Sequence, residues 1–408
     1  MTHAPMPTTL NHVHWIDSQA PRMQRLLTRW ARINSGSTNL PGLARMADAL
    51  EQPFGKLAPI RRHNLPPHRM VDATGRLIRQ PLGQALSLVK RARARRRALL
   101  VIHMDTVYPA DSAFQRCEPL GKDRLRGPGV VDAKGGLVVM LLALEALERA
   151  TPTVRKRLGW RVILNADEEL GSPGSAGLLQ RAAKRCDVGL VFEPCLPDGS
   201  LVSQRKGSGN FTIVVRGRAA HAGRDFEHGR NAVAAAARLA TALDGLTDPS
   251  RGITLNIAKL EGGGPLNQVP DLGIVRFNVR YTQREHERDL QGRFDQLLAD
   301  VNARDGYRAV LHGSFNAPPK PLDAAAAALF EQARDCGRSL GLRIDMQPTG
   351  GVCDGNRLAA AGLPTIDTLG PRGGHLHSDR EYVVLPSLVE RAKLTALLLT
   401  KLADEGVT

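Results

Sequence analysis

Apolar positions recur at helical spacing over residues 23–34 and 43–52, with the break SGSTNLPG between them, so the chain is expected to open on two helices. Residues 85–90 (ALSLVK) and 98–105 (ALLVIHMD) are short β-type runs. They flank RARARRR at 91–97, whose charge predicts a hairpin tip or an exposed loop. Residues 135–150 are apolar nearly all round, the pattern of a buried helix. RVILNAD at 161–167 is a continuous β-type run, expected for a strand covered on both faces. A helix over 174–185 and a strand over 187–194 continue the alternation. Strands alternating with helices predict an α/β layer with a mixed, mostly parallel sheet sandwiched by helices.

Further on the pattern changes. Strands are expected at 210–218, 253–263, 273–282 and 307–315, and helices at 231–246 and 284–304. This β-α-β-β-α-β order, from about Ser203 to Phe315, is that of a ferredoxin-like α+β unit. After NAPPKPLD the α/β character returns, with helices over 325–341 and 385–405 around a strand at 363–370. The expected organisation is therefore a discontinuous catalytic domain, residues 1–202 and 316–408. Residues 203–315 interrupt it as an inserted lid or dimerisation domain.

Length and composition sharpen this picture. A chain of 408 residues exceeds one ordinary core and calls for two or three domains. Hydrophobic residues at 42% and charged residues at 24% are globular values, which excludes a mainly disordered chain. No apolar run approaches bilayer length, so no membrane association is expected. The stretch at residues 1–15 has neither the basic start nor the apolar core of a secretory leader. Five cysteines without a paired motif point to a reducing compartment, and a cytoplasmic location is expected. The net charge of +16 raises the question of anionic partners, but aromatics at 4% are poor material for base stacking. Nucleic acid is therefore not the expected partner.

Candidate chemistry gathers at strand ends. His103 and Asp105 close the run at 98–105, and Glu193 closes the one at 187–194. Glu168 and Glu169 follow RVILNAD, Asp132 follows RGPGVV and opens a helix, and His377 follows the strand at 363–370. Open α/β sheets collect ligands outside the carboxyl ends of their strands. Each residue alone has a plainer reading: Asp132 as a helix cap with Lys134 a surface cation, Glu168–Glu169 as a solvated turn, Glu193 as a strand terminus. Their shared placement favours a site. Two histidines and three carboxylates without cysteine suit zinc, cobalt or manganese, and suffice for two metals sharing one carboxylate.

The strings HMDTVYP, GPGVVDAKGG, NADEELGSPGS, FEP, HAGRDFEHGRNAV and HSDREYV, in this order, resemble the motif set of the co-catalytic zinc amidohydrolases. That family includes glutamate carboxypeptidase, acetylornithine deacetylase, succinyl-diaminopimelate desuccinylase and the aminoacylases, and the likeness is nearest to glutamate carboxypeptidase. The resemblance implies that Asp132 bridges two metals, that His103 and Glu193 complete one, and that Glu169 and His377 complete the other. It implies Glu168 as general base and Asp105 as the partner that orients His103. His375 is an alternative to His377, which is preferred because it directly precedes Ser378–Asp379. In the insert, His221 matches a position that reaches the substrate carbonyl from a neighbouring subunit. Asn267 and Arg280 match positions associated with the substrate's terminal carboxylate. Ala133 and Cys353 depart from the family pattern, the latter where a small hydroxyl residue is usual.

The resemblance implies a homodimeric di-metal hydrolase that cuts the amide bond of an N-acyl amino acid or short peptide bearing a free carboxylate. Metal-activated hydroxide would attack, with Glu168 as base. An acetylornithine-deacetylase or aminoacylase type of deacylase is the nearer alternative. A non-catalytic scaffold with a basic surface, and a nucleic-acid-associated hydrolase using Lys90 to Arg97, belong to other classes.

Overall fold

The computed structural model describes residues 10–407, so residues 1–9 of the stretch inspected for a leader lie outside the described residues. At its centre is a six-stranded sheet. In chain order its strands are β1 (Ile60–His63), β2 (Ala85–Lys90), β3 (Arg96–His103), β4 (Leu158–Asn165), β5 (Val188–Val191) and β6 (Thr365–Ile366). Across the sheet they run β1-β2-β4-β3-β5-β6. The pairs β4/β3, β3/β5 and β5/β6 are parallel. The edge pairs β1/β2 and β2/β4 are antiparallel.

One face of this sheet carries the main core. Leu86, Leu88, Leu100, Ile102, Val162 and Leu164 all belong to it. They share it with helices α1 (Ala20–Ala31), α2 (Lys134–Arg149) and α5 (Leu385–Asp404). Helix α2 is buried at every position from Lys134 to Leu147, as its almost wholly apolar sequence requires. Lys134 is not a surface cation: it is 1% exposed and donates its ammonium to the Ile33 carbonyl at 2.8 Å. The opposite face packs on α3 (Ala176–Ala183) and α4 (Asp354–Ala360) through Leu99, Val101, Leu179, Val191 and Leu358.

The segment at 91–97 meets expectation in part: residues 92–95 form a turn in which Ala92, Arg93 and Arg95 are exposed. It is not a hairpin tip, because β4 lies between β2 and β3. Lys90 and Arg91 pair with Glu148 of α2 at 2.9 and 2.6 Å, while Arg96 and Arg97 already belong to β3. Only the ends of the basic run are drawn in, one by a carboxylate and the other by the sheet. Residues 55–84, for which the pattern predicted no element, hold β1 and a two-stranded hairpin, His68–Val71 with Leu77–Gln80. Their charged, partly exposed strands lack a readable alternation.

Residues 207–317 form a second sheet of four antiparallel strands: Thr254–Gly262, Leu272–Tyr281, Gly207–Arg216 and Arg308–Ala317, in that spatial order. Helices Ala232–Asp244 and Glu285–Asn302 connect them. The connectivity and strand order are ferredoxin-like. This unit has its own core, in which Phe211 and Phe277 stack and Phe294 meets both edge-on, all at centroid distances of 5.4 Å. Among the described residues, no helix is long and apolar enough to cross a membrane.

Candidate metal centre

The strand order explains why distant residues meet. Parallel strands β3, β4 and β5 lie side by side, so their carboxyl ends deliver His103, the turn carrying Glu168 and Glu169, and Glu193 to one edge of the sheet. Asp132 sits in the turn entering α2, and its peptide to Ala133 is cis. His377 approaches from the other side on a short loop. His375 and His377 both hold left-handed backbone angles, φ 56° and 61°, which cost of order 1 kcal/mol each and mark a constrained segment.

Asp132 is the centre of the arrangement. Its Oδ1 lies 3.2 Å from His103 Nε2 and its Oδ2 lies 3.2 Å from His377 Nε2. Glu193 Oε2 stands 3.7 Å from the same nitrogen of His103, and Glu169 Oε2 stands 3.5 Å from that of His377. The five groups thus divide into two sets around one carboxylate. Ligand atoms of His103, Asp132 and Glu169 all lie within 4.8 Å of one another. His375 does not join them; its ring lies against Tyr382, 5.9 Å between centroids.

The site fits cations on its own chemistry. Glu169 Oε1 and Glu193 Oε1 are buried and have no hydrogen-bond partner. Burial pushes the Glu168 and Glu193 carboxyls up, and Glu169 up to about 8, where the charge of Asp132 adds to it. Burial alone would also raise Asp132, but hydrogen bonds from His103 and His377 hold it well below the carboxylate range. The hydrogen bond to Asp132 lifts His377 to about 9. Buried carboxylates crowded together with two open oxygens need positive charge, and borderline divalent cations suit this nitrogen and oxygen set.

Two buried carboxylates brace the candidate ligands. Asp105 lies 3.4 Å from His103 Nδ1, leaving Nε2 to face Asp132. It also accepts from the backbone N–H of Glu168 and of Glu169, both at 3.2 Å, and from the Ser37 hydroxyl at 2.8 Å. Orientation of His103 is therefore only part of its position; it also anchors the turn bearing Glu168. Glu381, to which the sequence reading attached no role, is fully buried. It accepts from the N–H groups of Gly129, Val131 and Asp132 at 2.9, 2.9 and 3.0 Å, and from the Tyr108 hydroxyl at 2.7 Å. The string HSDREYV contained it, but only the fold reveals that it holds the Asp132 loop.

A cavity of about 600 Å³ opens over the centre and extends to the second sheet. Glu168, Glu169, Asp132, Glu193 and His377 line it, and so does Arg280. Arg280 donates Nε–H to Asn278 at 2.9 Å, while its Nη1 is buried without a partner. Arg205 also lines the cavity, held by buried Asp367 at 2.8 Å. Cys353 is there as well, but its sulfur accepts from Gly355 N–H and so caps α4. His221 and Asn267 do not reach the cavity in their own chain. Both are exposed and sit together on a two-stranded ribbon, with the Ala222 N–H donating to the Asn267 carbonyl at 2.8 Å.

A strand-end cluster of this kind on a mixed α/β sheet with an inserted ferredoxin-like unit defines a metal-dependent hydrolase. The family model for Peptidase family M20/M25/M40 matches residues 99–401, and the chain belongs to that family. It is 31% identical over 323 residues to carboxypeptidase G2 of Pseudomonas sp. (strain RS-16), covering 76% of this chain and 75% of that protein. It is 25% identical over 327 residues to succinyl-diaminopimelate desuccinylase 2 of Shewanella loihica, covering 74% and 84%. Its fold is shared by a Bacillus subtilis protein described as a dinuclear metal-binding peptidase of the M20 family. The TM-score is 0.65 at 13% identity, over 95% of this chain and 99% of that one.

Proposed function

We propose that this hydrolase uses two divalent cations to cut the amide bond of an N-acyl amino acid or short peptide with a free C-terminal carboxylate, in the manner of a glutamate carboxypeptidase. The observation that carries the reading is Asp132, which offers one oxygen to each of two ligand sets. His103 and Glu193 would hold one cation, and Glu169 and His377 the other. Zinc is the expected metal, with cobalt or manganese as substitutes. When bound, such cations acidify a water molecule and polarise a carbonyl.

The remaining steps belong to the protein. Asp105 and Glu381 keep the ligand-bearing turns in place. Glu168, half-buried at the cavity wall and without an ion-pair partner among the described residues, takes the proton of the attacking water and delivers it to the leaving amine nitrogen. Arg280 offers its open guanidinium nitrogen to the substrate carboxylate. His221 and Asn267 serve the site of a second copy: His221 donates to the oxyanion and Asn267 assists the carboxylate. This makes the enzyme a homodimer and the 203–315 insert, with its separate core, a lid between the two catalytic segments. A cytoplasmic location fits its five free cysteines.

A deacylase acting on acetylated or succinylated amino acids is the second reading, favoured by the likeness to the desuccinylase. The test is a panel of N-acyl amino acids and dipeptides assayed with added zinc, cobalt or manganese, together with the metal content of the chain. About two equivalents per chain and cleavage confined to substrates with a free carboxylate are expected. Equal cleavage of C-terminal amides, or one equivalent at saturation, would reject the proposal.

A further inference from the structure

Away from the metal centre, the α3 side of the central sheet is covered unevenly. Over β3 and β5 it packs on α3 and α4 through buried apolar side chains. Over β1, β2 and β4 it opens into a cleft of about 400 Å³ bounded by α3. Strand register sets what lines this cleft. Arg61 of β1 lies opposite Ser87 of β2, Ser87 opposite Ile163 of β4, and Val89 opposite Arg161. The period of two brings Arg61, His63, Ser87 and Arg161 to one face. Arg181 and Arg185, four residues apart on α3 and just beyond it, close the cleft from the other side. A second recess of about 250 Å³ shares Arg161 and Arg185.

Four guanidinium groups thus converge on one hollow from three elements, and among the described residues none of the four has a carboxylate partner. Asp187, which follows this rim in sequence, is already held by the Arg97 guanidinium at 3.1 Å and by its backbone N–H at 2.8 Å. His63, hydrogen-bonded to the Ser87 hydroxyl at 2.7 Å, senses the convergence. Burial lowers its pKa first, and the charges of Arg61, Arg181 and Arg161 lower it further. Two arginines on the other side of the sheet do find carboxylates, Arg91 on Glu148 and Arg22 on Glu145. Unneutralised arginines in a concave site repel one another and focus a positive field on whatever enters.

The geometry points to an anion site distinct from the metal centre, which takes a small, multiply charged, phosphate-bearing molecule. Guanidinium forks match phosphate oxygens in pairs, and phosphate can engage several of them at once. The hollow has the size of a small ligand, not of an extended strand. Apart from His63, no aromatic ring lines it, so it lacks the stacking platforms that single-stranded nucleic acid uses.

The test is calorimetry with inorganic pyrophosphate at constant ionic strength, on the full chain and on Asp132→Asn, which removes the carboxylate shared by the two ligand sets. Saturable binding is expected in both. The double substitution Arg181→Ser/Arg185→Ser, at exposed positions, is expected to weaken binding by roughly tenfold or more while leaving amide hydrolysis and the melting temperature unchanged. Binding lost in Asp132→Asn but kept in the arginine variant would put the anion at the metal centre and overturn the proposal. No saturable binding beyond matched chloride would reduce the cleft to a solvated basic surface. Oligonucleotide affinity that rises with length and falls in the arginine variant would make it a nucleic-acid face instead, and equally refute it.

Discussion

The metal centre and the ribbon bearing His221 and Asn267 differ in how far they are enclosed: the centre buries its carboxylates and His103, and His377, 55% exposed, is its open side. At the centre, His103 is 1% exposed and each ligand is within 3.7 Å of another. Buried Asp105 and Glu381 fix the backbone beneath it. On the ribbon, His221 is open to solvent, and its ring accepts only the N–H of Gly223 at 3.2 Å. One cluster is gathered within a single chain; the other lies away from the cavity of its own chain. Burying several carboxylates is tolerable where cations will neutralise them, so that site must be assembled by the fold itself. An exposed histidine carries no such cost.

The sharpest way to break this contrast is Glu168→Ala. Loss of turnover by about 10³-fold or more is expected, with two metals still bound by elemental analysis. Near-normal activity would remove the general base from the centre. Next comes His221→Ala, expected to lower turnover by roughly 10²-fold through loss of one oxyanion donor. Mixing this chain with Glu168→Ala chains should then recover activity, to about a quarter of wild type if subunits exchange freely. No recovery would mean that the ribbon does not serve a second copy. Glu381→Gln keeps the shape but weakens acceptance from three backbone N–H groups. It should cost about 10- to 100-fold in metal affinity, measured by competition with a chelator. The smallest effect is expected for Cys353→Ser, since a hydroxyl can also accept from Gly355 N–H; the melting transition should move by less than about 1 kcal/mol in stability. A large loss of activity there would mean that the sulfur meets substrate.

Much of this was legible before any coordinates. The β-type runs ending in His103, Asn165 and Val191 are strongly apolar, because strands covered on both faces have no polar side to show. That made their ends, and the acids and histidines there, conspicuous. The insert was legible through the switch from parallel-sheet runs to a β-α-β-β-α-β order. Residues 55–84 were not, because their short strands are charged and half exposed and so carry no period. In the segment at 91–97, charge rightly marked an exposed turn at 92–95 but not its ends, which Glu148 and β3 draw onto the protein.

The amino-acid order alone determined the family and the class of sheet, since these depend on local pattern and on residues whose chemistry has few uses. Only the tertiary structure decided that Asp132 faces two ways, that Glu381 and Asp105 hold the turns, and that four arginines on β1, β4 and α3 share a hollow. Each of these depends on which strands become neighbours. Neighbourhood in a sheet is set by long-range packing, which no stretch of sequence carries by itself.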